Sequence, residues 1–363
     1  MGFKCGIVGL PNVGKSTIFN AITNTANAQA ANYPFCTIEP NTGRVAVADE
    51  RLTKLKNIAN SQRIIPNYID IVDIAGLVRG ASKGEGLGNQ FLGNIREVDA
   101  ILHVVRAFED EDITHVENNI DPIRDIEVIE TELLLADLSS IEKRSISVAK
   151  KAKMGDKDAI AENEVLEKVL NGLNNGIMVR FIDFSDDEKA ILKQFHLITA
   201  KPVLYVANVN EDNSDKHLLE KIIIYAEKQK AKVVPICAKL ESEMMDFSEE
   251  DKKSFLVESG FGDTGLGQII INGYSLLGLI TFFTVGEQEA RAWSVPQNST
   301  APVAAGVIHT DFEKHFIKAE VVGYSDFIAC EGIAGSKEVG KLRLEGKDYV
   351  VKDGDIVHFK TGA

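Results

Sequence analysis

The chain has little of what would mark a secreted, membrane-spanning or metal-stapled protein. Its four cysteines, Cys5, Cys36, Cys237 and Cys330, stand far apart and form no CxxC pair. That excludes a disulfide framework, and reduced thiols with no zinc are the expectation. No stretch of 18 apolar residues occurs, so no membrane span is expected. The opening MGFKCGIVGL lacks the charged-then-apolar pattern of a signal peptide, and a cytoplasmic setting follows as an expectation. Low-complexity tracts and internal repeats are missing as well. Positive charge is also scarce: 40 Lys and Arg face 54 Asp and Glu, for a formal charge of −14. Indiscriminate adhesion to polyanions is thereby excluded, and any nucleic-acid contact must come from a local basic patch. What is there, 44% hydrophobic and 26% charged residues, is a globular composition long enough for two or three domains.

Apolar runs alternate with helical spacing through the first third of the chain. Residues 3–8 read as a buried parallel strand, and Gly43–Val47, Asn67–Asp73, Ala100–Val105, Val203–Ala207 and Val233–Cys237 are further strand candidates. Helix-like segments between them predict a parallel α/β sheet with right-handed crossovers. The alternation stops near residue 120. From Asp125 to about Ile141 the spacing is helical; Lys-rich turn material follows, with Met154-Gly155-Asp156 as the reversal. A second polar helix runs to about Leu173. This predicts a helical hairpin inserted between two strands. After Gly278 the segments LITFFTVG, AWSV, AAGVIH, YVVK and DIVHF read as short strands of a small β-rich domain. The resulting division is a nucleotide domain of residues 1–120 and 200–277, an inserted helical domain of 121–199, and a C-terminal domain of 278–363.

Gly9-Leu10-Pro11-Asn12-Val13-Gly14-Lys15-Ser16 fits G-x-x-x-x-G-K-[ST] between a strand and a helix. Phosphate oxygens need many N–H donors in a small volume. Glycines allow the backbone to wrap closely, and a helix N-terminus adds a favourable dipole. Asn12, Val13, Gly14, Lys15, Ser16 and Thr17 are therefore the expected nucleotide contacts, with Lys15 on the β- and γ-phosphates and Ser16 on Mg²⁺. Asp73-Ile74-Ala75-Gly76 ends a strand as D-x-x-G. Asp73 would support the metal, and the Gly76 amide would approach the γ-phosphate beside Lys15 as a catalytic contact. Between these motifs, Thr37 in NYPFCTIEP is the candidate second hydroxyl on Mg²⁺. Leu77 occupies the position where small GTPases carry a glutamine that orients water, so slow intrinsic hydrolysis is expected.

A later strand leads into Asn208-Val209-Asn210-Glu211, where GTPases carry N-K-x-D. The lysine stem that covers guanine is a valine, and the aspartate that reads it is a longer glutamate. Asn208, Val209 and Glu211, with Cys237 and Ala238 of the S-A-K-like Cys237-Ala238-Lys239, are the expected base contacts. Losing a fixed carboxylate removes much of guanine's advantage, because that advantage rests on leaving buried polar groups unpaired against the wrong base. A GTPase tolerating variation at this loop is the alternative from the residues alone.

GLPNVGKST, NYPFCTIEPN, DIAGLVRGAS, KGEGLGNQFL, NVNE and FFTVGEQEARAW together closely resemble the YchF subfamily of Obg-like proteins, over nearly the whole chain. The resemblance implies an α/β fold in three parts: a Ras-like P-loop NTPase domain, an inserted α-helical coiled-coil hairpin and a C-terminal β-grasp (TGS) domain. It also implies an ATPase that prefers ATP to GTP and associates with ribosomes. With leucine in place of glutamine, catalytic charge must come from elsewhere: His115 in a polar loop, a partner, or a bound K⁺ ion. His103, inside the apolar ILHVV, reads as a core residue. Lys143, Arg144, Lys150, Lys151, Lys153 and Lys157 cluster near the hairpin reversal and form either a solvated face or a surface for RNA phosphates. Two rival classes remain: a binding module with negligible turnover, and a kinase, which D-x-x-G with N-x-x-E disfavours.

Overall fold

A computed structural model describes residues 3–30, 41–74, 87–110, 119–212, 214–244 and 264–362, together with Phe247, Asp251 and Phe255. Two six-stranded sheets organise the chain. The first contains β1 (Phe3–Val8), β2 (Thr42–Val47), β4 (Asn67–Asp73), β5 (Ala100–Arg106), β6 (Val203–Asn208) and β7 (Lys232–Ile236), in the order β2-β4-β1-β5-β6-β7. Five of these strands run parallel. Every residue of β5 and β6 is buried, which is why they read as unbroken apolar runs rather than alternating ones. The expectation of an all-parallel sheet needs one correction: β2 is an antiparallel edge, pairing Thr42 with Val72 through Val47 with Asn67.

Helices α1 (Lys15–Ala30), α2 (Glu50–Ala59), α3 (Leu87–Glu97), α4 (Pro122–Lys153), α5 (Lys157–Asn174), α6 (Asp186–Lys193), α7 (Lys216–Lys228), α8 (Ala238–Glu243) and α9 (Gly265–Leu276) connect or flank the strands. The stretch expected as Lys-rich turn is instead the second half of α4, a single helix of 32 residues. Ala, Ser and Lys there are compatible with a helix, and nothing interrupts it before Gly155. Gly155 turns the chain with φ +89°, a conformation cheap only for glycine. Asp156 then caps α5 by accepting from Asp158 N and Ala159 N, each at 3.1 Å.

The inner half of α4 is fastened to the first sheet. Glu130 accepts from Tyr205 Oη, Tyr225 Oη and Arg180, each at 2.8 Å. The carboxylate of Asp137, fully buried, accepts from Ile198 N, Thr199 N and the Thr199 hydroxyl at 2.7–3.1 Å. His103 lies in the same core beside Tyr205, and burial lowers its pKa to about 4, so it is a neutral core residue.

The second sheet has the order β11-β10-β12-β8-β9-β3. Strands β8 (Leu279–Val285) and β9 (Glu289–Pro296) form a hairpin, and β12 (Asp355–Thr361) inserts parallel beside β8. Strand β10 (Phe316–Gly323) runs antiparallel to β12, with β11 (Arg343–Glu345) outside it. This is the β-grasp order. AAGVIH is not a strand but the end of α10 (Ala301–Ile308), which has Pro302 in its first turn; proline there is already set to helical φ. YVVK makes only an isolated bridge, Thr300 to Val350. The sheet is completed from far upstream: β3 (Arg63–Ile65) pairs in parallel with Glu289–Arg291. Leu52 and Leu55 of α2 share a core with Phe283, Phe327 and Ile356. Among the described residues, no helix is long and apolar enough to cross a membrane.

Candidate functional site

Those of the residues singled out in the sequence that lie among the described ones converge at the carboxyl ends of β4, β1, β6 and β7, where ligands of open α/β sheets bind. Strand β1 runs into the phosphate loop, and the loop's shape depends on backbone that only certain residues tolerate. Asn12 has φ +62° and Gly14 φ +98°. A Cβ on Gly14 would meet the Asn208 side-chain nitrogen at 2.3 Å, and one on Gly9 would meet the Val104 carbonyl at 2.4 Å. Asn208 is the joint of the site: its Nδ2 donates to Val13 O at 3.0 Å and its Oδ1 accepts from Ala238 N at 3.1 Å. One side chain thus ties the phosphate loop to β6 and to the loop after β7.

Lys15 is only 7% exposed and donates from Nζ to Leu10 O at 2.6 Å. Burial lowers its pKa to about 8, with Asp73 opposing the shift. Asp73 ends β4, and burial raises its pKa against the influence of Lys15 and Ser16. Its Oδ2 accepts from Ser16 Oγ at 3.5 Å, while its Oδ1 is buried with no hydrogen-bond partner among the described residues. An orphaned carboxylate oxygen beside a serine hydroxyl fits a hard divalent cation such as Mg²⁺, which takes oxygen ligands and retains water. Thr37, Gly76 and His115, with Leu77, lie outside the described residues.

Beyond the phosphate loop lies a cavity of about 610 Å³ lined by Asn12, Gly14, Thr17, Phe108, Glu109, Asp110, Asn208–Glu211, Cys237–Lys239, Ser242 and Glu243. Val209 is buried and donates its N–H to Ile236 O at 2.8 Å. Glu211 does not stand alone: its carboxylate accepts from Lys239 Nζ at 2.5 Å, which raises the lysine's pKa. Burial raises the pKa of the Cys237 thiol, which therefore stays protonated and apolar.

One lining side chain, and the arginine that holds it, escaped the sequence reading. Phe108 reaches the cavity from the carboxyl end of β5, under the guanidinium of Arg106, whose Cζ lies 4.6 Å from the ring centroid. Arg106 is buried and donates to Phe108 O at 3.1 Å and to Asp110 O at 3.0 Å. Asp215 fastens this loop to the base loop, accepting from Glu109 N at 2.9 Å and Asn210 Nδ2 at 3.1 Å. The available signal was an aromatic two residues past a fully buried strand, in a sheet whose other four parallel strands all end at site residues.

Comparison with known proteins agrees with this geometry. Residues 4–137 match the family of 50S ribosome-binding GTPases, and residues 279–362 match the YchF GTPase C-terminal family, described as a protein of unknown function. The chain is 55% identical over 361 residues to a ribosome-binding ATPase YchF of Pasteurella multocida, covering 99% of both chains. It is 53% identical over 364 residues to the Bacillus subtilis protein of the same name, again covering 99% of each. Among solved structures, the Schizosaccharomyces pombe YchF GTPase superimposes with a TM-score of 0.88 at 39% identity, covering 99% of this chain and 98% of that one.

Proposed function

This chain belongs to the YchF family, and on that premise we propose that it is a ribosome-associated ATPase that binds Mg²⁺-ATP, hydrolyses it slowly, and discriminates against GTP. The observation that carries the reading is the double hydrogen bond of Asn208, which sets the phosphate loop and the base cavity at one fixed spacing.

Lys15 is the cation for the β- and γ-phosphates, held desolvated so that its charge acts at full strength. Ser16 and Asp73 would hold Mg²⁺, which when bound neutralises the charge spread over the phosphate oxygens. Thr17 and the loop amides orient the polyphosphate, and Thr37, Gly76 and His115 keep the roles expected of them. The missing charge could also come from a K⁺ ion or from the ribosome itself.

For the base, Val209 cannot supply the lysine stem of N-K-x-D, and Glu211 is engaged by Lys239. Guanine's ring N–H and amino group would have to compete with a lysine for that carboxylate, whereas adenine makes no such demand. The aromatic face of Phe108 suits either purine and adds affinity rather than discrimination.

Single-turnover hydrolysis of ATP and GTP, with and without ribosomes, tests the reading. The expected result is an isolated rate near the uncomplemented level of this class, on the order of 10⁻⁴ per second, with ATP faster than GTP and ribosomes accelerating it. Undetectable turnover in every arm would leave a binding module instead. Combining Val209→Lys with Glu211→Asp should shift preference toward GTP by roughly ten-fold, the worth of one bidentate base contact.

A further inference from the structure

The α4–α5 hairpin ends in a concentration of positive charge that the nucleotide site does not use. Residues 143–157 hold six cations and one carboxylate, in a chain of formal charge −14. The single carboxylate, Asp156, is occupied capping α5. Arg144 is paired with Glu162 at 2.6 Å. Lys143, Lys150, Lys151, Lys153 and Lys157 are all exposed, and none has an ion-pair partner among the described residues.

Their placement follows from helix geometry. Lys143, Ile146, Lys150 and Lys153 recur at intervals of three and four, so they form one stripe about 15 Å long. Ile146 on that stripe is 64% exposed, and Met154 at the turn is 87% exposed. Beyond Ile141 the only buried residue of α4 is Val148, which packs with α5. Arg144 packs over the ring of Phe195, its Cζ 4.6 Å from the centroid, so the outer half of α4 is held on one side while its lysines face solvent, and Glu130 and Asp137 fasten the root of the hairpin to the sheet. A rigid arm that keeps unpaired lysines away from an acidic body concentrates its attraction for polyanions at one end.

We infer that the hairpin tip docks on RNA, with Lys143, Lys150, Lys151, Lys153 and Lys157 on backbone phosphates and Ile146 and Met154 against sugars or unstacked bases. The choice of RNA among polyanions rests on the ribosome-binding reading above. The contact reads shape and charge rather than sequence, because lysine is a point charge with no fixed fork for a base edge.

The test measures binding of the full chain to a fluorescent RNA hairpin as a function of KCl concentration. Replacing Lys150, Lys151 and Lys153 together by glutamate should weaken binding at least ten-fold. It should also reduce the slope of log K against log salt by about two to three, since each lost phosphate contact removes a little under one. The matching arginine variant should retain both. Basal ATP turnover, which uses no tip residue, should be the same in all three. Glutamate opposes the dipole at the end of α4, so if turnover reports misfolding, the triple glutamine variant replaces it with the same expectation. Unchanged affinity and slope in a folded variant would overturn the proposal. So would lysine-dependent sedimentation with ribosomes when the RNA itself is not bound, which would assign the tip to an acidic protein surface. Lysine-dependent RNA binding without ribosome sedimentation would sink the ribosome reading and leave this one standing.

Discussion

Lys15 is the residue where stability and function pull hardest against each other. An ammonium held at about pKa 8, against an ordinary value of 10.5, has lost hydration that one carbonyl and a distant carboxylate do not restore. The depressed pKa means that the unfolded chain binds more protons between pH 8 and 10.5. The charged lysine therefore destabilises the fold fully below pH 8, and the penalty fades as pH rises toward 10.5. Lys15→Met should accordingly stabilise the nucleotide-free protein at pH 7, by about 1–3 kcal/mol, while abolishing Mg²⁺-ATP binding. Thermal melts at pH 7 and pH 10 check this: the advantage should shrink at the higher pH. Phosphates bound at Lys15 would restore its proton. ATP binding should thus take up a proton above pH 8, visible as a buffer-dependent calorimetric heat, with affinity falling as pH rises. Gly14→Ala tests shape rather than charge. Its Cβ would sit 2.3 Å from the Asn208 amide, so ATP affinity should drop at least ten-fold while the far-ultraviolet dichroism stays unchanged.

Among elements, the hairpin best separates what pattern reveals from what it hides. Met154-Gly155-Asp156 was legible as the reversal because glycine and an Asx cap have local, sequence-near causes. The extension of α4 through Lys143–Lys153 was not legible, because lysine-rich polar text looks alike in a turn and on a solvated helix. AAGVIH shows the converse error: β-branched residues suggested a strand, but Pro302 and the alanines favoured a helical turn packed on the sheet. The root of α4 is fixed by Asp137, whose three accepted hydrogen bonds offset its burial. Asp137→Ala leaves two buried amides and a hydroxyl without a partner and should cost about 3 kcal/mol. Chemical denaturation checks the magnitude. A change below about 0.5 kcal/mol would mean that water replaces the carboxylate and the root is looser than described.

At the scale of the whole molecule, the strands β2 and β4 carry the connection between the two sheets. The chain leaves β2, lays Leu52 and Leu55 against Phe283 and Phe327, adds β3 to the second sheet, and returns along β4 to Asp73. Arg51 reinforces the contact with Asp353 at 2.6 Å and Arg63 with Glu289 at 2.8 Å. A chain ending at residue 277 should therefore keep the phosphate loop but expose two leucines that are now fully buried and strip β3 of its partner. Lower solubility and a depressed melting temperature are expected. A monomeric truncation melting with the intact chain would show that the second sheet contributes nothing to the first.

By itself the sequence determined the nucleotide chemistry. The phosphate loop, D-x-x-G and N-x-x-E are short-range texts, in which backbone conformation, strand end and functional side chain lie within a few residues of one another. The buried strands were equally legible, because a strand covered on both faces must be apolar throughout. Tertiary structure alone decided the rest. It brought Phe108 to the base cavity with Arg106 behind it, paired Lys239 with Glu211, made β2 an antiparallel edge, and sent residues 50–65 to complete a sheet whose other strands begin more than 200 residues later. Each of these is a contact between segments distant in the chain, formed because an apolar face or an unpaired strand edge must be covered, and no local pattern states which distant segment will cover it.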